Sequence, residues 1–247
     1  MQRSILRIPS KIPAVPSLNS ANLKAAASFF MFFDHAACGV FWTALEDKYP
    51  LCSPEWLRLI LRLSGRASFP VFCFFLVEGF VLTGNKRNYF LRMLAFALIS
   101  EIPFNLCMNG TLAFPRHQNV LFTMALGLLL MSACDLMKSK ISDPFEQLVY
   151  CLALGFFFGI MATALRLDYK LPGIILISIL YMFRESRLKQ FILGYVSFVW
   201  EPTSAIGFLL LLLYNGQRGK QGKYFFYVFY PFHLLLIFCL SLTLSPA

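Results

Sequence analysis

Apolar runs of about 20 residues, the length that crosses a bilayer as a helix, predict spans near 24–44, 60–82, 89–108, 119–137, 145–165 and 224–244. Two further apolar runs are irregular. The run 171–184 is short, and 189–213 is broken by Trp200, Glu201 and Pro202 into two half-length pieces. The pattern predicts an all-α, polytopic transmembrane helix bundle of about eight or nine segments, one of them broken or re-entrant near Glu201 and Pro202. Connections rich in cations alternate with poorer ones: Arg3, Arg7 and Lys11 in the first arm, then Lys86 with Arg87, Lys138 with Lys140, and Arg184 with Arg187 and Lys189. That alternation predicts a cytoplasmic N-terminus. Arg218, Lys220 and Lys223 fit it only if 189–213 turns back as a hairpin, a geometry tolerated at membrane depth where it lines a cavity.

Composition supports the membrane reading. The 247 residues are 58% hydrophobic, 17% aromatic and 14% charged, with a mean hydropathy of +0.67, more apolar surface than a soluble core absorbs. The net charge of +10 lies in short connections, where it sets topology, so no nucleic-acid partner is expected. Six of the seven cysteines (Cys38, Cys73, Cys107, Cys134, Cys151, Cys239) fall inside apolar segments without ligand or disulfide spacing, and no metal is expected. Residues 1–22 form a basic, proline-broken arm without the apolar core of a signal peptide. Residues 23–247 read as one membrane domain without an internal repeat.

Candidate chemistry starts in the first span, where Asp34 and His35 sit side by side in an apolar run. An ionisable pair at bilayer depth is costly and needs a reason to be there. Lys24 precedes His35 by eleven residues, which on a helix puts the two on nearly one face, about 16 Å apart along the axis. A ligand with an anionic head and a long thin arm, such as an acyl-coenzyme A, suits that spacing; a buried polar pair that fixes packing, with Lys24 snorkelling, suits it too. Arg58, Arg62 and Arg66 recur every four residues into the second span beside Gly65. Arg66, the deepest, either snorkels or binds an anion through its fork. Glu78, twelve residues on, needs another partner or a proton. Arg87, Tyr89 and Arg92 gather at the start of the third span. Glu101 and Asn105 flank Pro103 on one helix face, and Gln118, Asn119 and Thr123 open the fourth span. These polar groups serve a site or act as interhelical glue. The stretch NGQRGKQGKYFFYVFYPFH adds a glycine-rich basic loop with Lys220 and Lys223, followed by Tyr230 and His233. Such a loop marks topology, touches anionic lipid, or grips a nucleotide phosphate. His117 lies in a loop and receives no role.

The stretches LKAAASFFMFFDH, SGRASFPVFCFFLVEGFVLTGNKRNYFLRMLAFALISEIPFNL, RHQNVLFTMALGLLLM, LDYKLPGIILISILYMF and NGQRGKQGKYFFYVFYPFHLLLIF together resemble the TraX family of bacterial membrane acetyltransferases, in order and spacing, over nearly everything after residue 18. That family is named for a protein that acetylates the N-terminus of pilin, and is similar to the larger group of integral-membrane acyltransferases. The larger group pairs a basic residue with a histidine eleven positions later in its first span, a pattern that Lys24 and His35 match, with lysine where arginine is more usual. The resemblance implies the bacterial cytoplasmic membrane, acetyl- or acyl-coenzyme A as donor, and an acceptor amine or hydroxyl on a peptide or an envelope glycan.

On this reading His35 is a general base or a transiently acylated nucleophile, tuned by Asp34 or by Glu78 or Glu101. Lys24, Arg87 or Arg92, and the loop with Arg218, Lys220 and Lys223 would grip the donor from the cytoplasm, and Arg66 would share the cavity of His35. A small-solute or proton-coupled transporter would also need intramembrane carboxylates, a histidine and a broken helix. Against it stand the missing inverted repeat and the cations massed near one surface. A scaffold without chemistry leaves the aligned Lys24 and His35 unexplained.

Overall fold

The computed structural model describes residues 17–222 and 224–244. Among them the regular elements are eleven α-helices and one 3₁₀ turn: α1 (Ser20–Cys38), α2 (Val40–Lys48), the turn Pro50–Cys52, α3 (Glu55–Gly65), α4 (Ser68–Leu82), α5 (Lys86–Asn109), α6 (Val120–Lys138), α7 (Pro144–Ala164), α8 (Lys170–Met182), α9 (Arg187–Ser197), α10 (Ser204–Leu212) and α11 (Phe225–Leu244). Five helical stretches are long and apolar enough to cross a membrane: Glu55–Leu82, which joins α3 and α4, and α5, α6, α7 and α11; α1 with α2 makes a sixth if that bent pair is one span. Among the described residues this count does not confirm the expectation of eight or nine segments. The difference lies in short helices, because α8, α9 and α10 have only 13, 11 and 9 residues, about 20 Å or less at 1.5 Å per residue against a hydrocarbon core of about 30 Å.

The broken run 189–213 becomes a helical hairpin, α9 and α10, turning through Phe198–Thr203. Its two ends meet: Arg187 Nη1 donates to the Tyr214 carbonyl at 2.8 Å. Leu18 N donates to the Leu213 carbonyl, also at 2.8 Å, and Ser20 N to Gln217 O, so the chain leaves the hairpin beside the start of α1. Arg218 and Lys220 therefore lie at the same end of the bundle as Lys24. Arg3, Arg7, Lys11 and Lys223 lie outside the described residues.

α4 runs through the centre of the core, with Phe69, Val71, Cys73, Phe74, Leu76 and Val77 buried, whereas α7 turns most of its length outward. Two close approaches shape the site. The first is the break between α1 and α2 at Gly39, which bends the pair by 58°; a Cβ there would strike the Cys107 carbonyl of α5. A helix end inside a membrane leaves carbonyls without partners, and α3 answers one of them. Arg58 Nε donates to Ala37 O at 3.1 Å, and Arg62 Nη1 to Cys38 Sγ at 2.9 Å. The second is Gly65, where α3 presses so closely on α1 that an added Cβ would collide with Cβ and Cγ of Asp34. Arg58 and Arg62 of α3 are thereby laid along the broken end of α1.

Candidate functional site

His35 and His233 meet across α1 and α11, with Nδ1 of the first 2.7 Å from Nε2 of the second and their rings stacked at 5.0 Å. The tautomers follow from the next partner. His233 Nδ1 lies 2.9 Å from the Phe229 carbonyl, one turn back on α11; a carbonyl only accepts, so Nδ1 of His233 carries the proton. With both rings neutral, Nε2 of His233 is then an acceptor, and the proton between the rings sits on His35 Nδ1. That leaves His35 Nε2 as a free lone pair, the form a general base needs. Phe229 stacks on His233 at 4.9 Å, and Tyr230 meets the His35 ring edge-on at 6.0 Å, which holds both imidazoles in place.

His35 lines a cavity of about 110 Å3 together with Asp34, Cys38, Arg62, Arg66, His117, Asp168 and Tyr169, closed by apolar walls that include Met31, Phe72, Val120 and Met124. Arg66 faces this cavity. It reaches Glu201 Oε1 at 3.5 Å and lies 5.9 Å from the centre of the Tyr169 ring, so the turn of the hairpin supplies the carboxylate that Glu78, twelve residues along the second span, does not. Asp34 also lines the cavity, and its Oδ1 is buried without a hydrogen-bond partner. His117 Nε2 lies 3.4 Å from Asp168 Oδ1 at the rim. That hydrogen bond, ahead of the opposing effect of burial, holds the His117 imidazole above its ordinary value. The 165–169 turn is pinned in place by Gln118, which exchanges backbone bonds with Arg166 and Asp168, and by the Thr123 hydroxyl, which donates to the Asp168 carbonyl.

A second cavity, of about 120 Å3, abuts the first, because Met31, Phe72, Val120 and Met124 line both. It extends toward the start of α1 and is lined there by Lys24, Tyr89, Phe226, Tyr227 and Tyr230. The Lys24 ammonium lies 4.9 Å from the centre of Phe75 and 5.7 Å from that of Phe226, arrangements that favour a cation while leaving it room for an anion. Tyr89 and Tyr227 bring two phenols to this end of the cavity, and Arg92 lies 5.9 Å from the centre of the Tyr89 ring. The axial spacing of Lys24 and His35 thus becomes two adjoining chambers, with a cation in one and an unprotonated imidazole nitrogen in the other.

Other sequence candidates stand elsewhere. Glu78 lines neither cavity; the charge acting on it is Arg187 of the hairpin. Glu101 accepts from Asn105 Nδ2 at 3.2 Å and from Asn119 Nδ2 at 2.6 Å, and Asn119 donates further to the Ala97 carbonyl at 2.9 Å. These three residues clamp α5 to the start of α6 and do not reach the imidazoles. The ring hydrogen-bonded to His35 is that of His233, and among the described residues none of Asp34, Glu78 and Glu101, the carboxylates expected to tune it, is hydrogen-bonded to His35. Arg87 and Lys220 are exposed at the Lys24 end. Reading along the sequence missed Asp168, Tyr169, Arg62 and His117 as parts of the site. It also placed His233 with a phosphate grip, although two histidines in two apolar spans were signal enough to ask whether they pair.

A chain whose described residues form helices with five or six apolar spans, with a histidine pair beside one of two adjoining chambers, is a multi-pass membrane protein. It belongs to the TraX family: the family model described as TraX protein matches residues 19–241. The chain is also similar to the probable fimbrial assembly protein FimC, serogroup H1, of Dichelobacter nodosus, 32% identical over 196 residues that cover 76% of this chain and 69% of that protein. No solved structure matches it.

Proposed function

We propose that the protein is an acetyltransferase of the bacterial cytoplasmic membrane that moves an acetyl group from acetyl-coenzyme A to an amine or hydroxyl presented in the membrane. The observation that carries this reading is His35: its Nδ1 proton is committed to His233, and its Nε2 is left bare in a cavity. The donor's thioester supplies the activated acyl group. Lys24, with Tyr89 and Tyr227 of the same chamber and Arg92 beside Tyr89, offers its phosphates cationic and hydroxyl partners. His35 Nε2 takes the proton from the acceptor as that nucleophile attacks the thioester carbonyl. The coenzyme A sulfur leaves with the electron pair of the broken C–S bond and is reprotonated, so one amide or ester and one thiol are formed for one thioester consumed. His233 keeps the imidazolium that forms at His35 oriented, the part an orienting partner plays in other base-nucleophile pairs. The name of the fimbrial relative favours the amino terminus of a pilus subunit as acceptor, with an envelope glycan hydroxyl second.

The test is incubation of purified protein in nanodiscs with radiolabelled acetyl-coenzyme A, followed by mass spectrometry of protein, lipid and added acceptor. Free coenzyme A and a labelled acceptor are expected. Solute uptake into vesicles with no thioester consumed would replace the enzyme by a transporter.

A further inference from the structure

Arg58 and Arg62 of α3 and Arg66 just after it differ in what neutralises them. Arg58 lies 3.7 Å from Glu55 and donates to the Ala37 carbonyl, and Arg66 lies 3.5 Å from Glu201. Arg62 has no carboxylate within 4 Å among the described residues. The contact recorded for its guanidinium is the Cys38 thiol, a weak acceptor that carries no opposing charge. Yet Arg62 lines the His35 cavity, where the bilayer makes an unpaired cation expensive. The anion nearest in kind is Asp34 of the same cavity, but Gly65 of α3 wedges against its Cβ and Cγ and its Oδ1 stays without a hydrogen-bond partner. The chamber thus holds a guanidinium whose hydrogen bond goes to a neutral thiol, while the Asp34 carboxylate oxygen is sealed under Gly65 by the close contact of α3 with α1.

We infer that Arg62 is an anion-recognising subsite for the acceptor: the accepted substrate carries a carboxylate or a phosphate a few bonds from its nucleophile. This rests on the reading of His35 as the base for acetyl transfer. The anion binds the Arg62 fork, displacing the thiol contact. The nucleophile then points across the cavity toward His35, where an amine gives up its proton to Nε2 as it attacks the thioester. The donor phosphates do not account for Arg62, because Lys24, Tyr89 and Tyr227 lie in the other chamber.

The experiment uses the full chain in nanodiscs and three amine probes: β-alanine with a carboxylate, O-phosphoethanolamine with a phosphate, and propylamine with neither. Binding is read first, without coenzyme A, as thermal stabilisation across a titration of each probe. One or both anionic probes should bind at least about tenfold more tightly than propylamine, the least that one hydrogen bond to a charged group contributes. Which of the two does so separates carboxylate from phosphate. Acetylation of the same probes should show the same order in KM. Arg62→Gln should abolish the advantage of the anionic probes over propylamine, and Arg62→Lys should restore part of it. Equal binding of all three probes to the wild-type protein, or an advantage that survives Arg62→Gln, overturns the inference. Anion-selective binding lost in Arg62→Gln without any acetylation keeps the subsite and refutes the transferase instead.

Discussion

His233→Phe tests the histidine pair most directly. Phenylalanine keeps an aromatic ring of similar size against Phe229 and Tyr230 but removes the acceptor for His35 Nδ1–H. A buried donor left unpaired costs about 1–3 kcal/mol, which at about 1.4 kcal/mol per decade is up to roughly a hundredfold if it is relieved by misorienting the imidazole. If relief comes instead by moving the proton to Nε2, the base itself is lost, an effect of about 10²–10⁴. The expected result is a fall in kcat of about a hundredfold or more, with KM for acetyl-coenzyme A little changed because Lys24 and the other chamber are untouched. His233→Gln offers a side-chain oxygen to His35 and should recover part of the loss. The assay is initial-rate transfer of radiolabel in nanodiscs, with melting temperatures as a check on folding. A folded His233→Phe protein with wild-type kcat would refute the assignment of His233 as the orienting group and, with it, the tautomer argument.

Gly65→Ala should lower stability by about 1–3 kcal/mol, the cost of forcing an extra methyl into a tight contact, here against Asp34; an unchanged unfolding midpoint would contradict the closeness of α3 and α1. The His117–Asp168 bond raises the His117 pKa in the folded chain, so its contribution is complete below the ordinary histidine value of about 6.5 and is lost as pH rises through the raised value. The difference in melting temperature between wild type and His117→Gln should therefore be larger at about pH 6 than at about pH 9, modest throughout because the pair is partly exposed; the opposite trend would remove the pair. Single cysteines at Lys86 and Lys220 should both react with an impermeant thiol reagent from the cytoplasmic face alone, since the hairpin returns the chain to the Lys24 end; labelling of position 220 from outside would mean that 189–213 crosses once instead of turning back.

The spans of α4 to α7 and of α11 were legible within a few residues, because lipid demands long uninterrupted apolar helices and the sequence cannot disguise them. The break at Glu201 and Pro202 was legible for the same reason, since proline and a charge stop an apolar run. So was the coaxial placement of Lys24 and His35, which depends on the period of one helix. The count of segments was not, because a 13-residue helix and two half-helices satisfy their backbones inside the bundle and need not cross. Nor was the partner of His35. Residues 35 and 233 are brought together only by packing α1 against α11, and the choice of His233 over Asp34, Glu78 or Glu101 was decided by which helix faces meet. Asp34 is next to His35 along the chain but points away by about 100°, and Gly65 holds it there. Glu201 reached Arg66 only because the hairpin folds back. A single sequence records which groups cannot face lipid; the tertiary structure alone decides which of them face each other, since that depends on helix rotations and close approaches between segments far apart in the chain.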